Sequence, residues 1–220
     1  KKSEAYKNLL KELKFLKRER VKTPSLATKR SKIEYVRYAN DWMIGISGDQ
    51  NLAKQVKMEV TEFVSVRLKQ TVHTIKTKIT NLRAGKVKFL GYEIYLPRNR
   101  TISPYIGFDI PIDTILNRME ERGYIKKLAK GHRAISKASY TTLEDIVIVK
   151  HFTSVWRGLV NFYSGCTKLS KLQYIQYLLY MSCAMTLSHK HRSSTKKIFA
   201  KHGKKLIVTN GKIKSSFPSR

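Results

Sequence analysis

The stretch YVRYANDWMIGI, residues 35–46, decides the fold that this sequence predicts. Apolar residues alternate on both sides of a short polar pair, Asn40-Asp41, and this pattern is typical of two strands joined by a tight turn. We therefore predict an antiparallel hairpin over residues 33–47. Such a hairpin would hold the side chain of Asp41 at its tip.

A hairpin tip of this kind is where polymerases hold Mg²⁺. Carboxylates from neighbouring strands supply the oxygen ligands and the octahedral geometry that this ion requires. In this sequence the first position of the pair is Asn40, whose amide oxygen is uncharged and is a weaker ligand. The hairpin therefore resembles the metal-binding hairpin of polymerases, and the uncharged Asn40 implies that its metal site is no longer competent.

The net charge points to the class of partner. The chain has 45 Lys+Arg and 15 Asp+Glu in 220 residues, which gives a net charge of +30. All the acidic residues lie at or before Asp145, whereas residues 146–220 carry 14 Lys+Arg and four histidines. So large a surplus indicates a polyanionic partner, because the positive charges would otherwise repel one another. Nucleic acid is the first expectation and an anionic membrane surface is the second.

Cysteine usage and hydropathy argue against several other classes of protein. Cys166 and Cys183 lie in or near apolar helical patterns, which favours buried thiols in a reducing compartment over a disulfide framework. The longest apolar run, residues 172–187, is interrupted by polar residues and is too short to cross a bilayer. We expect no transmembrane helix. The histidines and cysteines also lack the close pairing of a zinc site, so we expect no metal site.

In the N-terminal part, the spacing of apolar residues predicts two helices around the hairpin. The first is basic and amphipathic over residues 1–22, and a linker follows over residues 25–32. Gly48-Asp49 offers a turn and an N-cap for the second helix, which runs to about Lys69. We expect this second helix to lie against the sheet.

The middle and the end of the chain show mixed patterns. Residues 73–80 and 87–95 alternate like strands, with Gly91 at a bend, and residues 97–108 resemble a loop. A short helix over residues 113–123 ends at Gly123. Two longer helices follow, with these residues on their apolar faces: Ile148, Phe152, Val155, Leu159 and Phe162, then Leu172, Ile175, Leu179, Cys183, Thr186 and Leu187. We expect the aromatic residues of these helices to be core residues and not base-stacking platforms.

Short motifs, in order along the chain, carry a resemblance to a known family. They are Tyr38-Ala39-Asn40-Asp41, Lys76-Thr77-Lys78-Ile79-Thr80, Phe89-Leu90-Gly91-Tyr92, WRGLVNFY at residues 156–163, and residues 180–190 and 199–206. The sequence resembles the group II intron reverse transcriptases, the maturases. The first motif is similar to their Tyr-Ala-Asp-Asp hairpin, and the last three are similar to their domain X.

The resemblance implies an α+β fold, in which a remnant reverse-transcriptase palm precedes an all-helical thumb and domain X. The palm remnant consists of the hairpin plus a helix and strands. The implied segments are 1–32, a basic amphipathic helix and linker; 33–96, the palm remnant; 97–140, a thumb-like helical region; 141–208, domain X-like helices; and 209–220, a flexible basic tail. The upstream fingers and the palm strand with a further metal-binding aspartate have no counterpart in residues 1–34.

In the family, the lysine at the position of Lys76 helps pyrophosphate to leave. Here Asn40, Asp41 and Lys76 are expected to be degenerate positions with no catalytic role, so the chain is not expected to be an enzyme. We expect no cofactor, with Mg²⁺ required only if polymerase activity is retained. Basic side chains are instead expected to contact RNA phosphates. The predicted contacts are Arg118, Lys126, Lys127, Lys130, Arg133, Arg157, Lys190, His191, Arg192, Lys196, Lys197, Lys201, Lys204 and Lys205.

Three functions fit this reading. The first is a maturase-like protein that binds and stabilises structured organellar RNA for group II intron splicing, with reverse transcription lost. The second is a structural RNA-binding component of an organellar ribonucleoprotein, such as the mitochondrial ribosome. The third is part of a split reverse transcriptase completed by another chain. The expected partners are intron or ribosomal RNA, further ribonucleoprotein subunits or that other chain, and not a membrane. The family suggests the mitochondrial matrix.

Overall fold

The computed structural model describes residues 4–22, 31–73, 77–97 and 105–218. The chain forms two compact units, Lys1–Ile79 and Thr80–Arg220. The boundary between them falls inside the 33–96 segment that the sequence assigns to the palm remnant. The described chain combines helices with antiparallel strand pairs, which is compatible with the α+β class. The finer division into palm, thumb and domain X stays a prediction.

The first unit has a helix, an antiparallel hairpin and a second helix. Their bounds are α1 Glu4–Lys22, β1 Lys32–Tyr38, β2 Asp41–Ser47 and α2 Gln50–Val66. The two strands pair from Lys32 opposite Ser47 to Tyr38 opposite Asp41, so the predicted hairpin is confirmed. Asp49 caps α2 as expected, since its Oδ1 accepts a hydrogen bond from the Leu52 N–H at 2.8 Å.

None of the described residues in the first unit is buried. The helix α2, which was expected to lie against the sheet, has only a half-buried face, formed by Leu52, Val56, Val60 and Val64, and its Phe63 side chain is 56% exposed. The periodicity of a helix identifies an apolar face without identifying what covers it.

The strand predicted over residues 73–80 is wrong in its described part. Residues 77–80 have no regular secondary structure. The Thr77 N–H donates to the His73 carbonyl oxygen at 3.0 Å, which is a local turn bond that competes with strand pairing. Lys76 and the rest of residues 74–76 lie outside the described residues, as do residues 25–30 of the predicted linker.

The described part of the second unit has four helices and seven strands. Their bounds are β3 Val87–Phe89, β4 Tyr92–Tyr95, β5 Gly107–Asp109, α3 Ile112–Glu121, β6 Ile125–Lys127, β7 His132–Ala134, α4 Asp145–Phe162, α5 Leu172–Lys190, α6 Thr195–His202, β8 Val208–Asn210 and β9 Ile213–Ser215. β3, β4 and β5 form one antiparallel sheet, and β6–β7 and β8–β9 are hairpins.

The prediction of a helical region over residues 97–140 is therefore wrong, because β5, β6 and β7 lie within it. Residues 141–208 contain α4, α5 and α6, as predicted, and β8 and β9 lie almost wholly in the segment that was predicted to be a flexible tail. Each hairpin turn contains a glycine with positive φ, Gly131 at 82° and Gly211 at 56°. Glycine adopts this conformation without steric cost, so these two residues allow the chain to reverse. The strands on either side are too short for an alternation of apolar and polar residues to be recognised in the sequence.

The core of the second unit forms mainly between α4 and α5. On α5 the predicted face is buried as expected, and on α4 Ile148 and Phe152 are fully buried. Phe162 differs from its prediction, since it is 52% exposed at the last turn of α4. Cys166 and Cys183 are buried free thiols, as predicted. Burial raises the pKa of both thiols. No helix of the described chain is long and apolar enough to span a bilayer.

Residues 208–218 close this core, so the flexible tail predicted over residues 209–220 is wrong for its described part. Phe217 is only 1% exposed and packs on the ring of Tyr180, with the ring centroids 5.7 Å apart. Side chains of the two long helices hold its neighbours. Thr153 Oγ1 donates to the Ser216 carbonyl oxygen at 3.1 Å, and Gln176 Nε2 donates to the Pro218 carbonyl oxygen at 3.2 Å. Burial of the Phe217 ring therefore holds this segment in place, although most of the residues around it are polar or basic.

A buried carboxylate joins three parts of the second unit. Asp109 Oδ2 on β5 accepts from Lys86 Nζ at 2.8 Å and from Lys171 Nζ at 2.5 Å. Burial by itself would raise the pKa of Asp109. The bonds from Lys171, Lys86 and the Ile110 N–H outweigh that effect and lower the pKa to about 2. Asp109 is therefore charged at neutral pH and contributes to stability through these contacts.

Candidate nucleic-acid interface

The tip of the first hairpin presents one carboxylate to solvent. Asn40 and Asp41 are both exposed, and Ala39 beside them has a φ of 53°. Arg37 Nε donates to the Ala39 carbonyl oxygen at 2.7 Å, which ties the turn to β1. Among the described residues, no group of three His, Cys, Asp or Glu side chains could hold a metal ion.

The β6–β7 hairpin presents four of the predicted RNA contacts. Lys126, Lys127, Lys130 and Arg133 are all exposed. Lys126 lies directly opposite Arg133, so their side chains share one face of the hairpin. The turn end of β6 is anchored to α3, where Glu120 Oε1 accepts from the Lys127 N–H at 2.9 Å. The hairpin therefore carries a cluster of cations on a fixed support.

The helix α6 and the turn after it present a second cluster of cations. Its members are all exposed: Lys196, Lys197, Lys201, Lys204 and Lys205. The helix begins at its N-cap Ser194, whose Oγ accepts from the Lys197 N–H at 3.3 Å. Ile198 is buried in the core and Phe199 stacks on Tyr180, so apolar side chains anchor α6 and its exposed surface is mainly basic. We call these five lysines the α6 patch.

Lys190 and His191 are held by a carboxylate of the same unit. Lys190 Nζ donates to Asp145 Oδ1 and to the Leu143 carbonyl oxygen, both at 2.7 Å. His191 Nε2 lies 2.7 Å from Asp145 Oδ2. Burial by itself would raise the pKa of Asp145, but these two partners lower it. These two predicted RNA contacts therefore also fix the start of α4 to the end of α5.

An open cleft of about 540 Å³ lies beside this carboxylate. Lys201, His202 and Asn210 contribute to its lining. His202 Nδ1 donates to the Ile207 carbonyl oxygen at 3.1 Å, while its Nε2 is buried without a hydrogen-bond partner. Asn210 Nδ2 donates to Glu144 Oε2 at 3.0 Å. Most polar atoms of the cleft are thus already bonded within the protein.

The remaining predicted contacts, Arg118, Arg157 and Arg192, are exposed on separate parts of the second unit. Sequence reasoning missed Lys212 and Lys214, which are exposed on the β8–β9 hairpin. It had assigned this segment to a mobile tail. The asparagine and glycine of the turn, Asn210-Gly211, are the local signal that could have identified the hairpin.

Comparisons with known proteins agree with these features. The type II intron maturase family matches residues 104–218, more than half of the chain. The putative COX1/OXI3 intron 1 protein of Saccharomyces cerevisiae is 31% identical over 92% of this chain, which spans 27% of that protein. Maturase K of Palhinhaea cernua is 28% identical over 82% of the chain, which spans 37% of that protein.

The similarity extends to a bacterial protein. The group II intron-encoded protein LtrA of Lactococcus lactis subsp. cremoris is 26% identical over 82% of this chain, which spans 32% of LtrA. The chain thus covers between about a quarter and two fifths of the length of these relatives. The resemblance seen in the short motifs is confirmed by the family match. The chain belongs to the type II intron maturase family.

Proposed function

We propose that this chain binds structured group II intron RNA and stabilises the fold that the RNA needs for splicing. The observation that carries the proposal is the exposed α6 patch in a segment, residues 146–220, that contains no acidic residue. Membership of the maturase family supports intron RNA as the polyanion. The relatives named for introns support the same choice.

Phosphate contact on a rigid support is the mechanism that we propose. Lysines on α6 and on the β6–β7 hairpin would neutralise phosphates and release counterions, which gives affinity without reading the base sequence. The buried core between α4 and α5 would hold the two basic clusters in a fixed arrangement. An RNA fold whose phosphates match that arrangement would then be favoured over its alternatives.

We also propose that reverse transcription is lost. Asn40 stands where the family has the first aspartate of the pair at the hairpin tip, so a Mg²⁺ ion would find one charged ligand there. Asn40, Asp41 and Lys76 are thus proposed as degenerate positions, and no cofactor is proposed. We place the protein in the mitochondrial matrix. The yeast relatives, which are named for the COX1/OXI3 and cob introns, support this location.

Salt dependence of RNA binding tests this proposal. The wild-type chain should bind a folded group II intron RNA with an affinity that falls steeply as salt rises. Replacing the five lysines of the α6 patch by glutamine should make the slope of log K against log salt shallower by about 0.7–0.9 for each phosphate contact removed. The slope is measured by filter binding at KCl concentrations between about 50 and 300 mM.

A matched control removes the same charge from the first unit. Lys11, Lys14, Lys54, Lys69 and Lys78 are also exposed, and their replacement by glutamine should leave the slope nearer to the wild-type value. Equal slopes for the two quintuple variants would show that the interaction follows net charge and not the α6 patch. A wild-type chain that does not bind the RNA would refute the proposed function.

A further inference from the structure

Two tyrosines on α5 are exposed although the helix around them is buried. Tyr174 is 42% exposed and Tyr177 is 47% exposed, while the neighbouring Ile175 and Leu178 are at most 1% exposed. Residues three apart on a helix are neighbours on its surface, so the two rings share one stripe. The sequence predicted core positions for the aromatic residues of this helix. For these two residues that prediction is wrong, because their positions fall on the solvent side of α5.

Tyr180, one turn further on, shows what a packed tyrosine looks like in this helix. Its ring stacks on Phe199 with the centroids 5.5 Å apart, and its Oη donates to the Lys204 carbonyl oxygen at 2.7 Å. The rings of Tyr174 and Tyr177 remain about half exposed by comparison. They are large, rigid and apolar surfaces that the fold leaves in contact with water.

The basic β6–β7 hairpin lies against Tyr174. The ring centroids of His132 and Tyr174 are 6.5 Å apart, and a Cβ at Gly131 would lie 3.8 Å from Tyr174 Oη. The chain after the hairpin continues along α5, where Ser182 Oγ donates to the Ile135 carbonyl oxygen at 2.7 Å. The position of the hairpin relative to the two tyrosines is therefore fixed.

Two lysines lie on the hairpin that contacts Tyr174. Lys127 lies directly opposite His132, so it shares the hairpin face from which His132 reaches Tyr174. Lys130 is exposed in the adjoining turn. The sequence has no acidic residue between Glu121 and Glu144 and none after Asp145. Exposed aromatic rings beside lysines are the arrangement that proteins use to bind unpaired nucleotides, with bases stacked on the rings and phosphates on the cations.

We propose that Tyr174 and Tyr177 form a stacking site for unpaired bases of RNA, with Lys127 and Lys130 as contacts for the adjoining phosphates. The inference rests on the RNA binding proposed above and adds a distinct mode of contact to it. The α6 patch would bind phosphates of any folded RNA. The tyrosine pair would select loops, bulges or single strands, whose bases are free to stack.

The test compares leucine and phenylalanine at both positions in the full chain. Tyr174→Leu with Tyr177→Leu keeps an apolar side chain but removes the rings, whereas Tyr174→Phe with Tyr177→Phe keeps the rings. Affinity is measured by fluorescence anisotropy for three probes at one salt concentration. The probes are a single-stranded oligoribonucleotide, an RNA duplex of the same sequence, and heparin, which is a polyanion without bases.

The leucine variant should bind the single strand about tenfold more weakly or worse, since it can no longer stack bases on aromatic rings. Its affinity for the duplex and for heparin should stay within about twofold of wild type, because the phosphate contacts are intact. The phenylalanine variant should bind all three probes like wild type. Ultraviolet crosslinking of the single strand should also label peptides that contain Tyr174 or Tyr177.

Two results would overturn the inference. One is wild-type affinity of the leucine variant for the single strand. The other is an equal loss of affinity for heparin, which would show that the rings serve a contact that needs no base. Either result leaves the proposed function intact if the wild-type chain binds the duplex and the intron RNA with a steep salt dependence. A wild-type chain that binds none of the RNA probes would refute both.

Discussion

The two units of this chain differ in what their apolar residues contact. In the first unit, α1 and α2 have apolar residues at helical spacing, yet none of the described residues there is buried. In the second unit, α4 and α5 have comparable patterns and bury Ile148, Phe152, Ile175 and Leu179 completely or nearly so. An amphipathic helix therefore contributes to a core only where another element covers its apolar face. In the second unit, α4 and α5 cover each other.

Stability should follow burial, so the largest effect is expected from the core of the second unit. Phe217→Ala should lower the free energy of unfolding of that unit by about 3–5 kcal/mol, because it removes a fully buried ring and leaves a cavity. Trp156 lies in the second unit and Trp42 in the first, and these are the two tryptophans of the chain. Urea unfolding followed by fluorescence in a Trp42→Phe background therefore reports on the second unit.

The matched control for this prediction is Phe63→Ala on α2. Its ring is mostly exposed, so the same change in side chain should lower the free energy of unfolding of the first unit by less than about 0.5 kcal/mol, followed through Trp42 in a Trp156→Phe background. If both variants lost a similar amount of unfolding free energy, the two units would not differ in burial as described. Such a result would show that α2 is covered in solution by something that stabilises it.

A smaller effect is expected from the buried charge of the second unit. The folded-state pKa of Asp109 is about 2, below its ordinary value of 3.8, so its contribution to stability is complete above about pH 4 and is lost as the pH falls toward 2. Asp109→Asn should lower the free energy of unfolding at pH 7 by about 2 kcal/mol. Unfolding curves between pH 2 and 7 test this dependence.

Glu121→Gln is the control for the carboxylate, since Glu121 is exposed at the end of α3. Its unfolding should track the wild type at every pH. If Asp109→Asn keeps the wild-type fall in stability between pH 4 and 2, other carboxylates and not Asp109 carry the acid sensitivity of the second unit.

The smallest effect is expected from the helix caps, one in each unit. Ser194→Ala removes the N-cap of α6 and should lower the free energy of unfolding of the second unit by about 1 kcal/mol. Asp49→Ala removes the N-cap of α2 and should reduce the helical circular dichroism signal without moving the Trp156 transition. A shift of that transition in Asp49→Ala would mean that the two units unfold together.

The sequence predicted those parts of the fold whose signals are local. The hairpin of β1 and β2, the Asp49 cap, the bend at Gly91 and the end of α3 at Gly123 depend on a few adjacent residues, and all are present. The buried face of α5 could be predicted for a similar reason, because its periodicity extends over 19 residues. These are cases in which local preference and tertiary structure agree.

The parts that the sequence could not predict depend on distant contacts. The strands β5 to β9 have three residues each, too few for alternation to be recognised. Phe217 is buried because α4 and α5 accept its ring, and no residue near it in the sequence signals that contact. The exposure of Tyr174 likewise depends on where the β6–β7 hairpin docks. For the candidate interface, the lysines could be named from charge alone, but the pairing of Lys190 and His191 with Asp145 required the structure.

The burial of Phe217 has a consequence for how the protein is made. During translation the helices α4 and α5 leave the ribosome well before residue 217 does, and the surface that receives this ring is bare until then. The second unit is therefore expected to complete its folding late, after a period in which a strongly basic nascent chain with an open apolar groove is exposed to the surrounding nucleic acid and chaperones.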